Sequence, residues 1–232
     1  MTITYDDRPG GVACFGPLAP ADQALMRRAL DAGRSALAAA WAASAAKREI
    51  FWINLWQSSG ESPSVVLECA AELDALVRRL AAAIYADGPA QLDGYGFIVN
   101  PIGSKTQPWH VDYTMDCSSV FIPLTRLTPQ NCTQYLVLPA PVPEAARRAI
   151  AADLDVIDLG AVADACDFVS VRQLLAPPFS LLRLDFGAIH RGVANTGDFE
   201  RILFYFSVNR GAVPVAGEPV VEVIHPDKLG TP

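Results

Sequence analysis

Histidine is scarce in this chain: 232 residues contain three, His110, His190 and His225. The five cysteines (Cys14, Cys69, Cys117, Cys132, Cys166) are odd in number and form no Cys-x-x-Cys pair. That excludes a disulfide framework and a zinc knuckle, and a reduced, cytoplasmic setting is the expectation. No basic run occurs, only pairs such as Arg27-Arg28, Arg78-Arg79 and Arg147-Arg148, within a formal net charge of −7. A nucleic-acid partner needs clustered positive charge, so none is expected. Long apolar runs are missing too: the Ala-rich stretch Ala36–Ala46 is short and is closed by Lys47 and Arg48. It cannot span a bilayer, and no membrane association is expected. Met1–Asp7 has no basic n-region and no apolar h-region, so no secretory signal is expected there.

What is present suits one globular domain over residues 1–232, with 51% hydrophobic and 19% charged residues. Residues 1–93 read as a helical buttress. Pro20 and Asp22 signal a helix start, and Leu25, Met26, Leu30, Leu37 and Trp41 follow at helical spacing. A second helix is expected from a Ser62 cap and Pro63 to Gly88, with a stripe of Val66, Leu67, Ala70, Leu73, Leu76, Val77, Leu80 and Ile84. Ile50–Trp56 between them is strand-like.

Residues 94–232 read as a jelly-roll core. Strands are expected at Tyr95–Asn100, Pro108–Tyr113, Ser119–Leu124, Gln134–Leu138, Ser180–Asp185, Ile202–Asn209 and Val220–Ile224. Helical pieces are expected at Pro143–Ala152 and Val169–Leu175. The fold class is therefore mainly β with flanking α-helices, a jelly-roll barrel buttressed by N-terminal helices.

Two of the three histidines stand in a suggestive order. Trp109-His110-Val111-Asp112 places a carboxylate two residues after an imidazole, and on a strand both project from one face. His190 follows Gly187 and Ala188, small residues that let the backbone turn close to an ion. Two imidazoles and one carboxylate make the facial triad of mononuclear Fe(II) oxygenases, which leaves metal positions open. The bland alternative is a pair of hydrogen-bonded core or surface histidines. His225, before Pro226, reads as an exposed tail residue.

Arg201, eleven residues past His190, heads the apolar run Ile202–Val208. On a strand Arg201, Leu203, Tyr205 and Ser207 share one face, and Ile202, Phe204, Phe206 and Val208 the other. An inward Arg201 suits a bound carboxylate, with the Ser207 hydroxyl assisting; otherwise it pairs with Asp185 or Glu200 at a sheet end. Asn100 is either a second donor to that carboxylate or a turn residue before Pro101. Trp109 and Tyr113 either shape the mouth of a substrate site or pack in the core. Arg191 either meets an anionic substrate group or faces solvent. Gln107 and Thr125 have only proximity in their favour.

These segments resemble a known family. Trp109–Asp112, the Thr128-Pro129-Gln130-Asn131 turn before Leu136–Pro139, and Gly187–Gly192 with Asn195 and Arg201 are similar to the phytanoyl-CoA dioxygenase-like group. These are Fe(II)- and 2-oxoglutarate-dependent oxygenases on a double-stranded β-helix, and the likeness spans about Gly94 to Asn209. The resemblance implies that His110, Asp112 and His190 bind Fe(II), and that Arg201 holds the distal carboxylate of 2-oxoglutarate. It further implies that O2 and a small-molecule substrate complete the reaction, releasing succinate and CO2. Related halogenases carry Gly or Ala where Asp112 stands, so hydroxylation or desaturation is implied instead. Two other readings remain open at this point: an Fe(II) oxidase that does not use 2-oxoglutarate, and a non-catalytic jelly-roll binding protein. The prime substrate and the oligomeric state are not legible.

Overall fold

The computed structural model describes residues 6–8, 11–85, 91–112, 117–139, 143–166, 169–185 and 188–209. The chain opens with two short strands, β1 (Asp6–Arg8) and β2 (Val12–Pro17), then helices α1 (Pro20–Ala36) and α2 (Ala38–Lys47). Strand β3 (Phe51–Gln57) and helix α3 (Ala70–Ile84) follow. After them come β4 (Gln91–Asn100), β5 (Cys117–Pro123), β6 (Thr133–Val137), α4 (Glu144–Ala152) and α5 (Leu159–Asp164). The last elements are β7 (Ser170–Leu174), β8 (Ser180–Leu184), β9 (His190–Gly192) and β10 (Arg201–Asn209).

Two antiparallel sheets result among the described residues. The larger has seven strands in the order β1-β2-β8-β5-β10-β4-β3; the smaller has three, β7-β6-β9. Strand alternation sorts the side chains into layers. One face of the large sheet, with Phe97, Ile122, Phe204 and Phe206, packs beneath α1 and α3 through Met26, Leu73, Leu76 and Leu80. The opposite face, with Leu182, Leu203 and Tyr205, meets Tyr135 and Leu174 of the small sheet. Behind the small sheet, Leu136 and Ile189 pack against Ile157 and Val162 beside α5. Each large apolar side chain buried this way contributes about 1.5–3 kcal/mol, which makes β10, flanked by β4 and β5, a rigid support.

Several expectations need correction. Residues 1–93 are more than a helical buttress, because β1, β2 and β3 belong to the large sheet. The helix expected from Ser62 starts at Ala70 instead. Ser64 is tied to Asn54 of β3 by two hydrogen bonds, 2.7 and 3.0 Å, and Val66 lies 81% exposed. Val169–Leu175 is not helical; Ser170–Leu174 pairs with Thr133–Val137 as an edge strand. Pro108–Tyr113 does not form a strand within the described residues: only His110 makes a bridge, because Val111 N–H donates to Leu154 O and Trp109 O accepts from Ile157 N–H. The expected strand Val220–Ile224 lies outside the described residues.

Candidate metal centre and its cavity

His110 and His190 face each other across a two-residue antiparallel bridge. The N–H of each donates to the carbonyl of the other, at 3.0 and 2.9 Å. On its far side His190 pairs with Tyr135 of β6, so it is fixed from both flanks. A directly opposed pair projects its side chains to one side of the ladder. The rings accordingly lie with centroids 4.5 Å apart. Asp112, two residues after His110, reaches the same place: its Oδ1 is 3.6 Å from His110 Nε2 and 3.5 Å from His190 Nε2. Ligand atoms of the three residues all lie within 4.8 Å of one another.

The tautomers follow from the partners. His110 Nδ1 is 2.9 Å from Pro108 O, and His190 Nδ1 is 2.9 Å from Ala188 O. A carbonyl only accepts, so each Nδ1 carries a hydrogen, and in the neutral ring Nε2 is left with its lone pair on the Asp112 side. Burial draws His110 below the ordinary imidazole value, and the neighbouring His190 adds to the effect. Burial pushes the Asp112 carboxyl upward, but the two imidazoles and the Ser119 hydroxyl outweigh it and hold it below the usual range. Ser119 Oγ donates to Asp112 Oδ2 at 2.6 Å, which leaves Oδ1 for the histidines' side. When both imidazoles are neutral, three acceptor atoms converge with no hydrogen between them. A cation resolves that arrangement, and N/N/O donors suit a divalent first-row metal.

The triad opens into a cavity whose lining includes Arg201, Ser207, Gln107, Thr133, Trp52 and Asp155. Arg201 is 2% exposed. It does not pair with Asp185 or Glu200. Asp185 is engaged by Arg183 and Ser118, and Glu200 by Arg34 and Trp41. Instead Arg201 Nε donates to Asn100 Oδ1 at 3.1 Å, and Nη1 donates to Asn131 O and Cys132 O at 3.2 and 2.9 Å. No carboxylate among the described residues answers its charge. Burial therefore draws its pKa down to about 10. Gly192 leaves the guanidinium room: a Cβ there would sit inside contact distance of Arg201 Nη2 and 2.5 Å from Gln107 Oε1.

Other expected site residues fall differently. Ser207 lines the cavity as its place on β10 implies. Asn100 is fully buried and reaches the site only by holding Arg201; its Nδ2 has no partner among the described residues. Trp109 and Arg191 do not line the cavity. Strand alternation turns Arg191 away from His190, so it lies 4.3 Å over the Trp109 ring and donates to Gln134 Oε1 at 2.9 Å. Tyr113, Gly187 and His225 lie outside the described residues. Thr125 is a structural acceptor for Ile202 N–H at 3.0 Å. Gln107 is in the cavity after all, with its Oε1 accepting from Gly192 N–H at 2.9 Å. Thr133, Trp52 and Asp155 carried no sequence signal, since each becomes a wall only through tertiary pairing.

Comparison with solved structures agrees with this architecture. AviO1 from Streptomyces viridochromogenes Tue57 superposes with a TM-score of 0.56 at 19% identity, over 89% of this chain and 93% of that one. SnoK, a non-heme alpha ketoglutarate dependent carbocyclase from nogalamycin biosynthesis, gives 0.56 at 17%, over 87% and 80%. EctD from S. alaskensis with bound Fe gives 0.55 at 16%, over 87% and 73%. The fold is a double-stranded β-helix. No protein-family model matches the chain, and no curated protein does. No helix among the described residues of this β-helix protein is long and apolar enough to cross a membrane.

Proposed function

We propose that this protein is an Fe(II)- and 2-oxoglutarate-dependent dioxygenase that hydroxylates a C–H bond of a small molecule. One O2 is consumed; one oxygen atom enters the substrate, the other enters succinate, and CO2 is released. Residues 1–232 form one such catalytic domain, akin to the phytanoyl-CoA dioxygenase-like group. The observation that carries the reading is Arg201: a buried guanidinium with only carbonyl and amide partners, on the wall of the cavity that holds the triad. A dicarboxylate co-substrate needs a metal at one end and a cation at the other. The folds of SnoK and EctD, solved respectively for an alpha ketoglutarate dependent enzyme and with Fe bound, add support.

In this reading His110, Asp112 and His190 hold the metal, whose role when bound with 2-oxoglutarate is to supply the O2-dependent oxidation. Arg201 seats the far carboxylate through the guanidinium edge left free by Asn100 and the two carbonyls. Ser207 lies on the same strand face and donates alongside it. Ser119 holds Asp112 in one rotamer. Phe121 and Leu203 exclude water from the cavity wall. The odd number of cysteines and the lack of a Cys-x-x-Cys pair support a reducing, cytoplasmic setting.

The test is spectroscopic. Adding 2-oxoglutarate to anaerobic protein containing Fe(II) is expected to produce a weak visible charge-transfer band. Iron binding without the band indicates an oxidase that does not use 2-oxoglutarate. Absence of Fe(II) binding indicates a non-catalytic binding protein.

A further inference from the structure

Among the described residues, three charged side chains besides the histidines line the cavity: Asp112, Arg201 and Asp155. Asp112 belongs to the metal site and Arg201 to the co-substrate, which leaves Asp155. Its Oδ1 is buried and has no hydrogen-bond partner among the described residues. Among the described residues no Lys or Arg pairs with it, and Arg201 is the one Lys or Arg of the lining.

Asp155 is held where it is by main-chain bonds. The residue before it, Leu154, accepts from Val111 N–H at 3.1 Å, and Ile157 N–H donates to Trp109 O at 2.7 Å. Those partners flank His110 on either side. Asp153 Oδ1 also accepts from the N–H groups of Asp155 and Val156, both at 3.0 Å, so the loop cannot slide. Asp155 is thus fixed beside the segment that carries His110, on the lining of the cavity. An ionised carboxylate oxygen only accepts hydrogen bonds, and leaving one buried and unanswered is costly.

Resting on the oxygenase reading, we propose that Asp155 anchors a positively charged nitrogen of the prime substrate, so that the enzyme acts on small amines. A full charge offsets a half-buried carboxylate better than a hydroxyl does. Trp52 lines the same cavity, and an indole attracts a bound cation. The chain's net charge of −7 draws cations rather than anions toward the mouth. The target C–H then lies on a carbon near the amine, because Asp155 adjoins the segment that carries His110.

The experiment compares two probes of equal shape, benzylammonium and benzyl alcohol, by calorimetry on anaerobic protein loaded with Fe(II) and 2-oxoglutarate. Wild-type protein is expected to bind benzylammonium at least ten-fold more tightly than benzyl alcohol. Asp155→Asn, nearly isosteric, is expected to abolish that preference. Equal binding of both probes to wild type, no binding of benzylammonium, or a preference that survives in Asp155→Asn overturns the assignment. The visible band in the same samples reports on the underlying reading: its absence overturns both readings, and its presence without an amine preference overturns the Asp155 assignment alone.

Discussion

His110 and His190, remote in sequence, exchange both backbone hydrogen bonds, N–H to O at 3.0 and 2.9 Å. That single bridge explains most of the candidate metal site. It brings two imidazoles to one side, and the two-residue period of extended chain brings Asp112 after them. The same alternation that turns His190 inward turns Arg191 outward and Gly192 back in, where its missing side chain makes room for Arg201.

Ser119 holds Asp112, a proposed metal ligand. Removing the 2.6 Å hydrogen bond frees the carboxylate to swing away from the two Nε2 atoms. Ser119→Ala is expected to weaken Fe(II) affinity roughly 10–100-fold, as loss of an outer-shell partner does. Equilibrium dialysis against a metal-ion buffer measures it, and unchanged affinity would remove Ser119 from the site.

Gly192→Ala places a methyl against a guanidinium that cannot retreat, because Asn100, Asn131 O and Cys132 O hold it. Overpacking of this kind costs about 1–3 kcal/mol. The variant is expected to raise the 2-oxoglutarate KM well above wild type while Fe(II) still binds. A thermal melt and a co-substrate titration of the same preparation separate misfolding from the local effect.

Asn100→Asp answers the buried charge permanently. It sets a carboxylate where Asn100 Oδ1 now stands, 3.1 Å from Arg201 Nε. The variant is expected to melt higher without ligand and to bind 2-oxoglutarate about ten-fold more weakly, since ~1.4 kcal/mol of attraction is already spent inside the protein. Tighter co-substrate binding contradicts the role given to Arg201.

His110 sets a pH dependence. The unfolded imidazole titrates near 6.5, and the folded one lower, because burial and His190 disfavour its charge. Between those values the unfolded chain binds a proton that the folded chain refuses. Stability of the metal-free protein is therefore complete above pH 6.5 and declines as pH falls below it, levelling at the folded pKa. Melting temperatures between pH 8 and pH 5 are expected to fall more for wild type than for His110→Gln. Asp112 adds its own loss only in the acid range below 3.8, where its lowered pKa lies.

The sequence was most legible where pattern and contact coincide. Strand β10 sorted itself: Leu203, Tyr205 and Ser207 line the cavity, while Ile202, Phe204, Phe206 and Val208 enter the core beneath the helices. The two-residue spacing of His110 and Asp112 also gave their common direction, although the strand expected around them is a single bridge. Elements stabilised mainly by distant partners were hidden. Ser170–Leu174 carries Arg and Gln, good helix formers, yet pairing with β6 makes it an edge strand with three exposed residues. Strand β2 is six residues of mixed character whose sheet position rests on β8. Gln107, Thr133 and Asp155 sit in loops or at a strand start, where no period marks them. Only the folded chain gathers them.

The central claim is that Arg201 is the co-substrate's anchor beside a metal held by His110, Asp112 and His190. Its most direct measurement is the 2-oxoglutarate dissociation constant of the anaerobic Fe(II) protein, wild type against Arg201→Ala. Truncating one partner of a buried charge pair costs about 2–5 kcal/mol, so binding is expected to weaken by roughly 30-fold or more while Fe(II) affinity stays the same. Equal 2-oxoglutarate binding by the two proteins would contradict the account.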